Sequence, residues 1–208
     1  MITTDGLENT IINPFAPSVY ITTAPDNILS ILNEAGTTAK NESEAINNAL
    51  AGEIKHEYNL EFEQTDNKLF IDFISQKAKE YYSKTPITPK HTVNLVSANI
   101  GQPWINYSYA GDFNPLHMHH ADLSYIIYVD IPDNIRNNYK QSYSQTKGIL
   151  QLSYNNKQMH LAPKTGDMIV FPSSVYHCVY PFSEDGCRIS VAGNIHNAQF
   201  ETIDNTQE

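Results

Sequence analysis

From Thr92 onward the chain consists of short apolar runs rich in Val, Ile, Tyr and Phe, separated by Gly, Pro, Asn and Asp. Runs of this kind, bounded by turn-forming residues, predict β-strands. Eight of them can be read in order: TVNLVSANI, WINYSYA, LSYIIYVDI, GILQLSY, KQMHLA, DMIVFP, HCVYPF and CRISVAGNI. Their number and spacing favour an antiparallel sandwich or jelly roll.

The first half of the chain has a different pattern. Apolar residues recur at helical spacing in APDNILSILNEA and in DNKLFIDFISQKAKEYYSK, which predicts two helices. We therefore expect a single domain of mainly β structure, with residues 1–90 as N-terminal helical support and residues 91–200 as the β-core. The polar connection from Pro132 to Gly148 is longer than most loops in a compact β-domain, and we expect it to be a lid or binding loop.

Charge and cysteine content limit the partners. The formal net charge is −10, and no segment concentrates Lys or Arg, so nucleic acid and an anionic membrane surface are not expected as partners. A small-molecule or peptidyl substrate is expected instead. The chain starts without a signal-like segment and lacks a long apolar run, which predicts a cytoplasmic protein. Cys178 and Cys187 could form one disulfide only if their strands were adjacent.

The segment HMHHAD, residues 117–122, concentrates metal-binding side chains. On an extended segment His117 and His119 project to the same face, and His177 follows the later strand DMIVFP. Imidazoles brought from two separate strands suit Fe(II), Zn or Ni. A solvated turn explains the cluster at residues 117–120 equally well, so this segment does not decide the function alone.

Arg188 provides a second observation. If HCVYPF and CRISVAGNI form a hairpin at SEDG, His177 pairs with Ala192, and Arg188 and Ser190 face the same side as His177. Arg188 would then lie roughly 13 Å from the pairing point, at about 3.3 Å per residue. This gap suits a five-carbon diacid held by a metal at one end and by a guanidinium at the other. A surface salt bridge of Arg188 to a nearby acid is the alternative.

Taken in order, GDFNPLHMH, LSYIIYVD, GDMIVFPSSVYH and RIS resemble the Fe(II)- and 2-oxoglutarate-dependent oxygenases of the prolyl-hydroxylase-like branch, over residues 92–196. The details are most similar to a subgroup found in phages and marine bacteria. The resemblance implies a double-stranded β-helix and a reaction in which O2 hydroxylates a substrate while 2-oxoglutarate is decarboxylated to succinate. It implies Fe(II) on His117 and His177, and the C5 carboxylate of 2-oxoglutarate on Arg188, Ser190 and Tyr128.

The sequence departs from that family at the carboxylate ligand of the metal. The usual pattern is His-x-Asp or His-x-Glu, and counting from Gly111 places His119 where the acid should stand. His119 can itself be the ligand, Asp122 can complete the site, or His120 and Asp122 can act as a shifted pair. We favour His117, His119 and His177 as the metal-binding and catalytic residues, with Asp122 accepting a hydrogen bond from one of the imidazoles.

Two other functions remain open from the sequence. One is a cupin-type metalloprotein that does not use 2-oxoglutarate, since Gly111, His117 and His119 also match half of the cupin motif. The other is a non-enzymatic jelly-roll binding module with an incidental histidine cluster. For an oxygenase, Trp104, Asn106 and Asn194 are candidates for the mouth of the site, although core packing of the Trp and strand or turn polarity of the two Asn explain them equally well.

Overall fold

The computed structural model describes residues 1–13, 17–46, 54–85, 91–141 and 146–204. The two predicted helices are present as α1 (Asp26–Glu42) and α2 (Gln64–Lys84). Each has buried apolar residues at helical spacing, such as Ile28 and Leu32 on α1. A short helix, α3 (Asp133–Arg136), lies in the polar connection predicted as a lid.

Every predicted strand run contains a strand, and further strands precede and separate them. The strands, numbered along the chain, are β1 (Ile2–Thr3), β2 (Thr10–Ile12), β3 (Val19–Thr23), β4 (Glu57–Asn59), β5 (His91–Ile100), β6 (Trp104–Ser108), β7 (Asn114–His117), β8 (Leu123–Asp130), β9 (Lys140–Gln141), β10 (Thr146–Lys147), β11 (Leu150–Tyr154), β12 (Lys157–Ala162), β13 (Asp167–Pro172), β14 (Tyr176–Val179) and β15 (Arg188–Asp204). The sequence analysis did not predict β1 to β4, so residues before position 91 supply strands as well as helices.

Two facing sheets form the jelly roll that the sequence predicts, and the fold is that of a double-stranded β-helix. The major sheet has the order β2-β3-β13-β8-β15-β6-β4, with β5 paired to β15. The minor sheet has the order β1-β12-β11-β14-β7. Strands β4 and β7 therefore each lie at one edge of their sheet as the described residues form it.

Alternation along each strand of the major sheet separates two cores. On β6, Ile105 and Tyr107 face the helices and pack with residues of α1 and α2. Trp104, Asn106 and Ser108 have the opposite orientation and line a cavity between the sheets. The helices thus cover the outside of the major sheet, while its inner face is left to the site.

The predicted hairpin between HCVYPF and CRISVAGNI is wrong. Strand β14 pairs with β11 on one side and with β7 on the other, so neither of its edges is free for β15. Strand β15 instead lies between β8 and β6 in the major sheet. Pro181 interrupts the intervening segment, because proline has no N–H for a ladder. Cys178 consequently lies on β14 of the minor sheet, Cys187 directly precedes β15 of the major sheet, and both are free thiols.

Gly36 sets how closely α1 approaches the major sheet. A Cβ atom at this position would overlap Ile105 Cδ1 and lie 2.8 Å from the Tyr107 hydroxyl oxygen. Replacing glycine by alanine inside an exposed helix normally stabilises it. The missing side chain at Gly36 therefore serves the packing of the helix on β6.

We predict that Gly36→Ala lowers the free energy of unfolding by about 1–3 kcal/mol, because the added methyl group overpacks the contact with Ile105. Urea unfolding followed by circular dichroism measures this change. Thr38→Ala, at an exposed position of the same helix, is the control and should be neutral or slightly stabilising. Equal stability of Gly36→Ala and the wild type would show that the contact is not tight.

Candidate active site

Three imidazoles meet between the two sheets. His117 ends β7, His177 lies on β14, and the two residues are directly paired across the ladder. His119 follows two residues after His117, and its backbone N–H donates to the Ser173 carbonyl at 3.0 Å. One ring nitrogen from each of the three histidines lies within 4.8 Å of the others. This spacing is suitable for three ligands of a single metal ion.

Backbone carbonyls fix the tautomer of two of these rings. The Nδ1–H of His117 donates to the Pro115 carbonyl at 2.7 Å, and the Nδ1–H of His177 donates to the Val175 carbonyl at 3.2 Å. A carbonyl can only accept a hydrogen bond, so Nδ1 carries the proton in both rings. The lone pair is then on Nε2, which is the arrangement that orients a histidine for a metal.

Burial keeps two of the three imidazoles uncharged in the absence of metal. Desolvation, with smaller effects from the neighbouring His117 and His119, lowers the pKa of His177 to about 3, against the bond to Val175. Desolvation likewise lowers the pKa of His119 to about 4, with smaller effects from His117 and His120. Neutral imidazole is the form that binds a metal, so these two rings are ready to do so at neutral pH.

The structure does not bring Asp122 into the imidazole cluster. Its carboxylate is exposed and accepts a hydrogen bond from the Ala198 backbone N–H at 2.9 Å. Its backbone bonds to Ile195 and Ser173 hold it just before the start of β8. His117 and His177 do not donate to Asp122, because their Nδ1–H groups donate to backbone carbonyls. His120 is exposed, so the shifted pair of His120 and Asp122 lacks a buried site.

Arg188 lies on the inner face of the major sheet and lines the same cavity as the three histidines. Its side chain is buried, with 2% of the residue exposed. One guanidinium nitrogen donates to the Gly148 carbonyl at 2.7 Å, and the guanidinium carbon lies 5.2 Å from the centre of the Phe182 ring. Among the described residues no carboxylate forms an ion pair with it. A buried guanidinium without a counter-charge is costly, and an anionic ligand would remove that cost.

Ser190 and Tyr128 lie beside Arg188 on the cavity wall. Ser190 follows Arg188 by two residues on β15 and so faces the same side, and it pairs directly with Tyr128 on β8. Burial raises the pKa of Tyr128, and the charge of Arg188 partly opposes this. The tyrosine is therefore a neutral hydroxyl that can donate to an anion.

The polar connection lies at the Arg188 end of the cavity rather than at the histidine end. Ile135 and Tyr139 are part of the inner core, and the guanidinium of Arg188 opposes the burial that raises the pKa of Tyr139. The Gly148 carbonyl at the end of the connection holds the guanidinium. Residues 142–145 of the predicted lid lie outside the described residues.

One acid on the cavity side of the major sheet was not predicted from the sequence. Glu57 on β4 pairs directly with Asn106 on β6, and Asn106 pairs in turn with Ser190. Glu57 is 3% exposed, and burial raises its pKa to about 7. Trp104 and Asn106 line the cavity as expected, whereas the side-chain oxygen of Asn194 accepts a hydrogen bond from Ser124. Glu57 stands in a polar segment without an evident strand pattern, so only the fold reveals it.

Comparison with known proteins shows what this arrangement resembles. Residues 102–194 match the family described as "Putative 2OG-Fe(II) oxygenase". This part of the chain is similar to the 2OG-Fe(II) oxygenases. The matched region includes His117, His177 and Arg188, and it ends at residue 194. No curated protein matches the chain in sequence.

Several solved structures share the fold. A Pseudomonas putida prolyl-4-hydroxylase is 12% identical with a TM-score of 0.56, covering 86% of this chain and 92% of its own. An oxidoreductase of the 2OG-Fe(II) oxygenase family from Burkholderia pseudomallei is 12% identical with a TM-score of 0.53, covering 86% and 84%. The collagen prolyl hydroxylase of Paramecium bursaria Chlorella virus 1, solved with 2OG, is 14% identical with a TM-score of 0.51, covering 85% and 94%.

The matched family uses Fe(II), 2-oxoglutarate and O2, and similarity to it supports an oxidoreductase. The donor set fits this chemistry, since three imidazoles leave coordination positions for other ligands. No helix among the described residues is both long enough and apolar enough to cross a membrane.

We predict that His117→Ala, His119→Ala and His177→Ala each weaken binding of Fe(II) by more than about 10-fold, because each removes one ligand. Anaerobic calorimetric titration with Fe(II) measures this affinity. His120→Ala and Asp122→Asn are matched controls from the same segment and should bind Fe(II) like the wild type. Loss of binding in Asp122→Asn together with normal binding in His119→Ala would show that the acid is the third ligand.

The pKa of Glu57 gives a second prediction. Its pKa is about 7 in the folded chain against an ordinary value of 4.5, so between these values the folded state binds more protons than the unfolded state. Stability therefore falls as pH rises from about 4.5 to about 7. Glu57→Gln removes this loss and should gain stability over the wild type with rising pH, up to ~3 kcal/mol.

Urea unfolding of both chains at several pH values checks this result. Glu61→Gln, which changes an exposed acid of the same segment, should show no such trend. A constant difference between Glu57→Gln and the wild type from pH 4.5 to 7.5 would contradict a buried, titrating Glu57.

Proposed function

We propose that this chain is a dioxygenase that uses Fe(II) and 2-oxoglutarate to hydroxylate a small-molecule or peptidyl substrate. The observation that carries this proposal is the buried Arg188, whose guanidinium lacks a carboxylate partner among the described residues and lines the same cavity as three imidazoles. A molecule with a metal-chelating group at one end and a carboxylate at the other satisfies both ends of this cavity.

The roles of the residues follow from their positions. His117, His119 and His177 would hold Fe(II) through ring nitrogens that converge within 4.8 Å. Arg188 would bind the C5 carboxylate of 2-oxoglutarate by charge-assisted hydrogen bonds, with the hydroxyls of Ser190 and Tyr128 as further donors. The bound iron and 2-oxoglutarate together supply the oxidant that is derived from O2.

Much of the remaining cavity wall is apolar, which disfavours water. Ile126, Phe171, Val179 and Ala192 line it between the histidines and Arg188. In such an apolar setting, the attraction between Arg188 and a carboxylate is stronger than in water. A dry wall also protects a reactive centre from side reactions with solvent.

The substrate is proposed only by class. One structural relative is a prolyl hydroxylase from Trichoplax adhaerens in complex with a peptide fragment of hypoxia inducible factor, at 13% identity and a TM-score of 0.52. Such relatives support testing peptides alongside small molecules. The net charge of −10 continues to argue against nucleic acid.

We predict that Arg188→Met weakens binding of 2-oxoglutarate by about 10- to 100-fold or more, because it removes a charge-assisted contact from a buried site. The measurement is an anaerobic titration of the Fe(II)-loaded protein with 2-oxoglutarate, followed through the visible charge-transfer band of the chelate. Fe(II) binding itself should be retained.

Arg136→Met is the matched control, because Arg136 is a surface arginine that pairs with Asp5. This variant should bind 2-oxoglutarate normally. The cupin-type alternative predicts no 2-oxoglutarate chelate and no succinate from the wild type. Conversion of 2-oxoglutarate to succinate that is unaffected by Arg188→Met would contradict the assigned role of Arg188.

A further inference from the structure

We propose that Glu57 and Asn106 form the recognition site for a cationic nitrogen group of the substrate. The assignment of this group to the oxygenase substrate rests on the function proposed above. The cation site itself consists of Glu57 and Asn106, which are not among the residues proposed to bind the metal or 2-oxoglutarate.

Glu57 belongs to a row of polar residues that crosses the major sheet. Glu57, Asn106, Ser190 and Tyr128 occupy directly paired positions on four successive strands, from β4 through β6 and β15 to β8. Directly paired residues point to the same face of a sheet, so this polar row crosses the inner face of the major sheet. At about 4.8 Å per strand, the backbone of Glu57 lies roughly 10 Å from that of Ser190. Glu57 thus lies at the opposite end of the row from the proposed 2-oxoglutarate position.

Glu57 and Asn106 have unfilled hydrogen-bonding capacity. Glu57 Oε2 and Asn106 Oδ1 are both buried, and neither has a hydrogen-bond partner among the described residues. Both residues are more than nine-tenths buried, and Asn106 lines the cavity. Both atoms are acceptors, so a single group with several N–H donors can satisfy them together. Buried polar atoms without partners are uncommon and point to a ligand or another function.

The charge of Glu57 is not balanced by an ion pair. None of the ion pairs of the described residues includes Glu57, and burial raises its pKa. Lys40 lies on the other side of the sheet, where its ammonium is 4.5 Å from the centre of the Tyr107 ring. Since Tyr107 and Asn106 point to opposite faces of β6, this lysine does not serve Glu57.

An aromatic side chain completes the setting. Trp104 precedes Asn106 by two residues on β6, faces the same side and lines the cavity. Indole is the aromatic ring that attracts cations most strongly. Two acceptor oxygens, one of them a carboxylate oxygen, beside an indole favour an ammonium or guanidinium group over a carboxylate or an aliphatic group.

The test uses three probes of equal length: n-butylammonium, butanamide and butyrate. The protein is loaded with Zn(II) and 2-oxoglutarate so that it is diamagnetic and inactive, and binding is measured by saturation-transfer NMR. We expect n-butylammonium to bind the wild type more tightly than either other probe. Glu57→Gln, which keeps the shape but removes the charge, should weaken that binding by at least about 10-fold.

Glu61→Gln is the matched control and should bind n-butylammonium like the wild type. Equal binding of the three probes, binding of none, or unchanged n-butylammonium binding by Glu57→Gln would overturn the proposal. The last outcome would make Glu57 and Asn106 an internal structural pair. The preference of the wild type among the probes needs no variant, so a folding defect in Glu57→Gln does not prevent the test.

Failure of the proposed function gives a different result. In that case the Fe(II)-loaded wild type shows no charge-transfer band with 2-oxoglutarate, whereas selective binding of n-butylammonium can still be observed. A normal band without probe selectivity rejects only the cation site.

Discussion

A guanidinium buried between two sheets, without a carboxylate to neutralise it among the described residues, is the constraint on which the site depends. Among the described residues the guanidinium of Arg188 contacts the Gly148 carbonyl, the face of Phe182 and the hydroxyl of Tyr139, and none of these groups carries the negative charge that would offset the cost of its burial. Three imidazoles line the same cavity. The Arg188 end of the cavity therefore favours an anion, and the histidine end favours a metal cation. This is the pattern expected of a site for a carboxylate ligand that also chelates a metal.

The two-sheet architecture places the anion-binding end and the cation-binding end of the cavity on different sheets. His177 pairs with His117 in the minor sheet, while Arg188 and Ser190 belong to the major sheet. Neither sheet contains both halves of the site. Their separation across the cavity keeps the cationic arginine away from the metal position, and the helices on the outer face leave the inner face of the major sheet free for polar residues.

Local patterns in the sequence were sufficient for much of this fold. Helical spacing predicted α1 and α2, and the apolar runs after Thr92 predicted eight strands that the structure contains. Alternation along RISVA correctly placed Arg188 and Ser190 on one face. The hairpin at SEDG was wrong, because membership in a sheet depends on distant partners: β14 is already paired on both edges by β11 and β7.

The same distinction explains the residues that were missed or misassigned. Asp122 carries a ligand side chain near the histidines in sequence, yet its carboxylate accepts a hydrogen bond from the Ala198 N–H, a contact across 76 positions. Glu57 gained its significance only from pairing with Asn106. Neither pairing leaves a signal in the surrounding letters, because hydrogen-bond partners distant along the chain determine both.

The most direct test of the central claim is a crystal structure of the protein grown anaerobically with Fe(II) and 2-oxoglutarate. The account predicts iron on the Nε2 atoms of His117, His119 and His177, with the C5 carboxylate of 2-oxoglutarate within hydrogen-bond distance of the Arg188 guanidinium. Iron bound through the carboxylate of Asp122, or 2-oxoglutarate oriented away from Arg188, would contradict it.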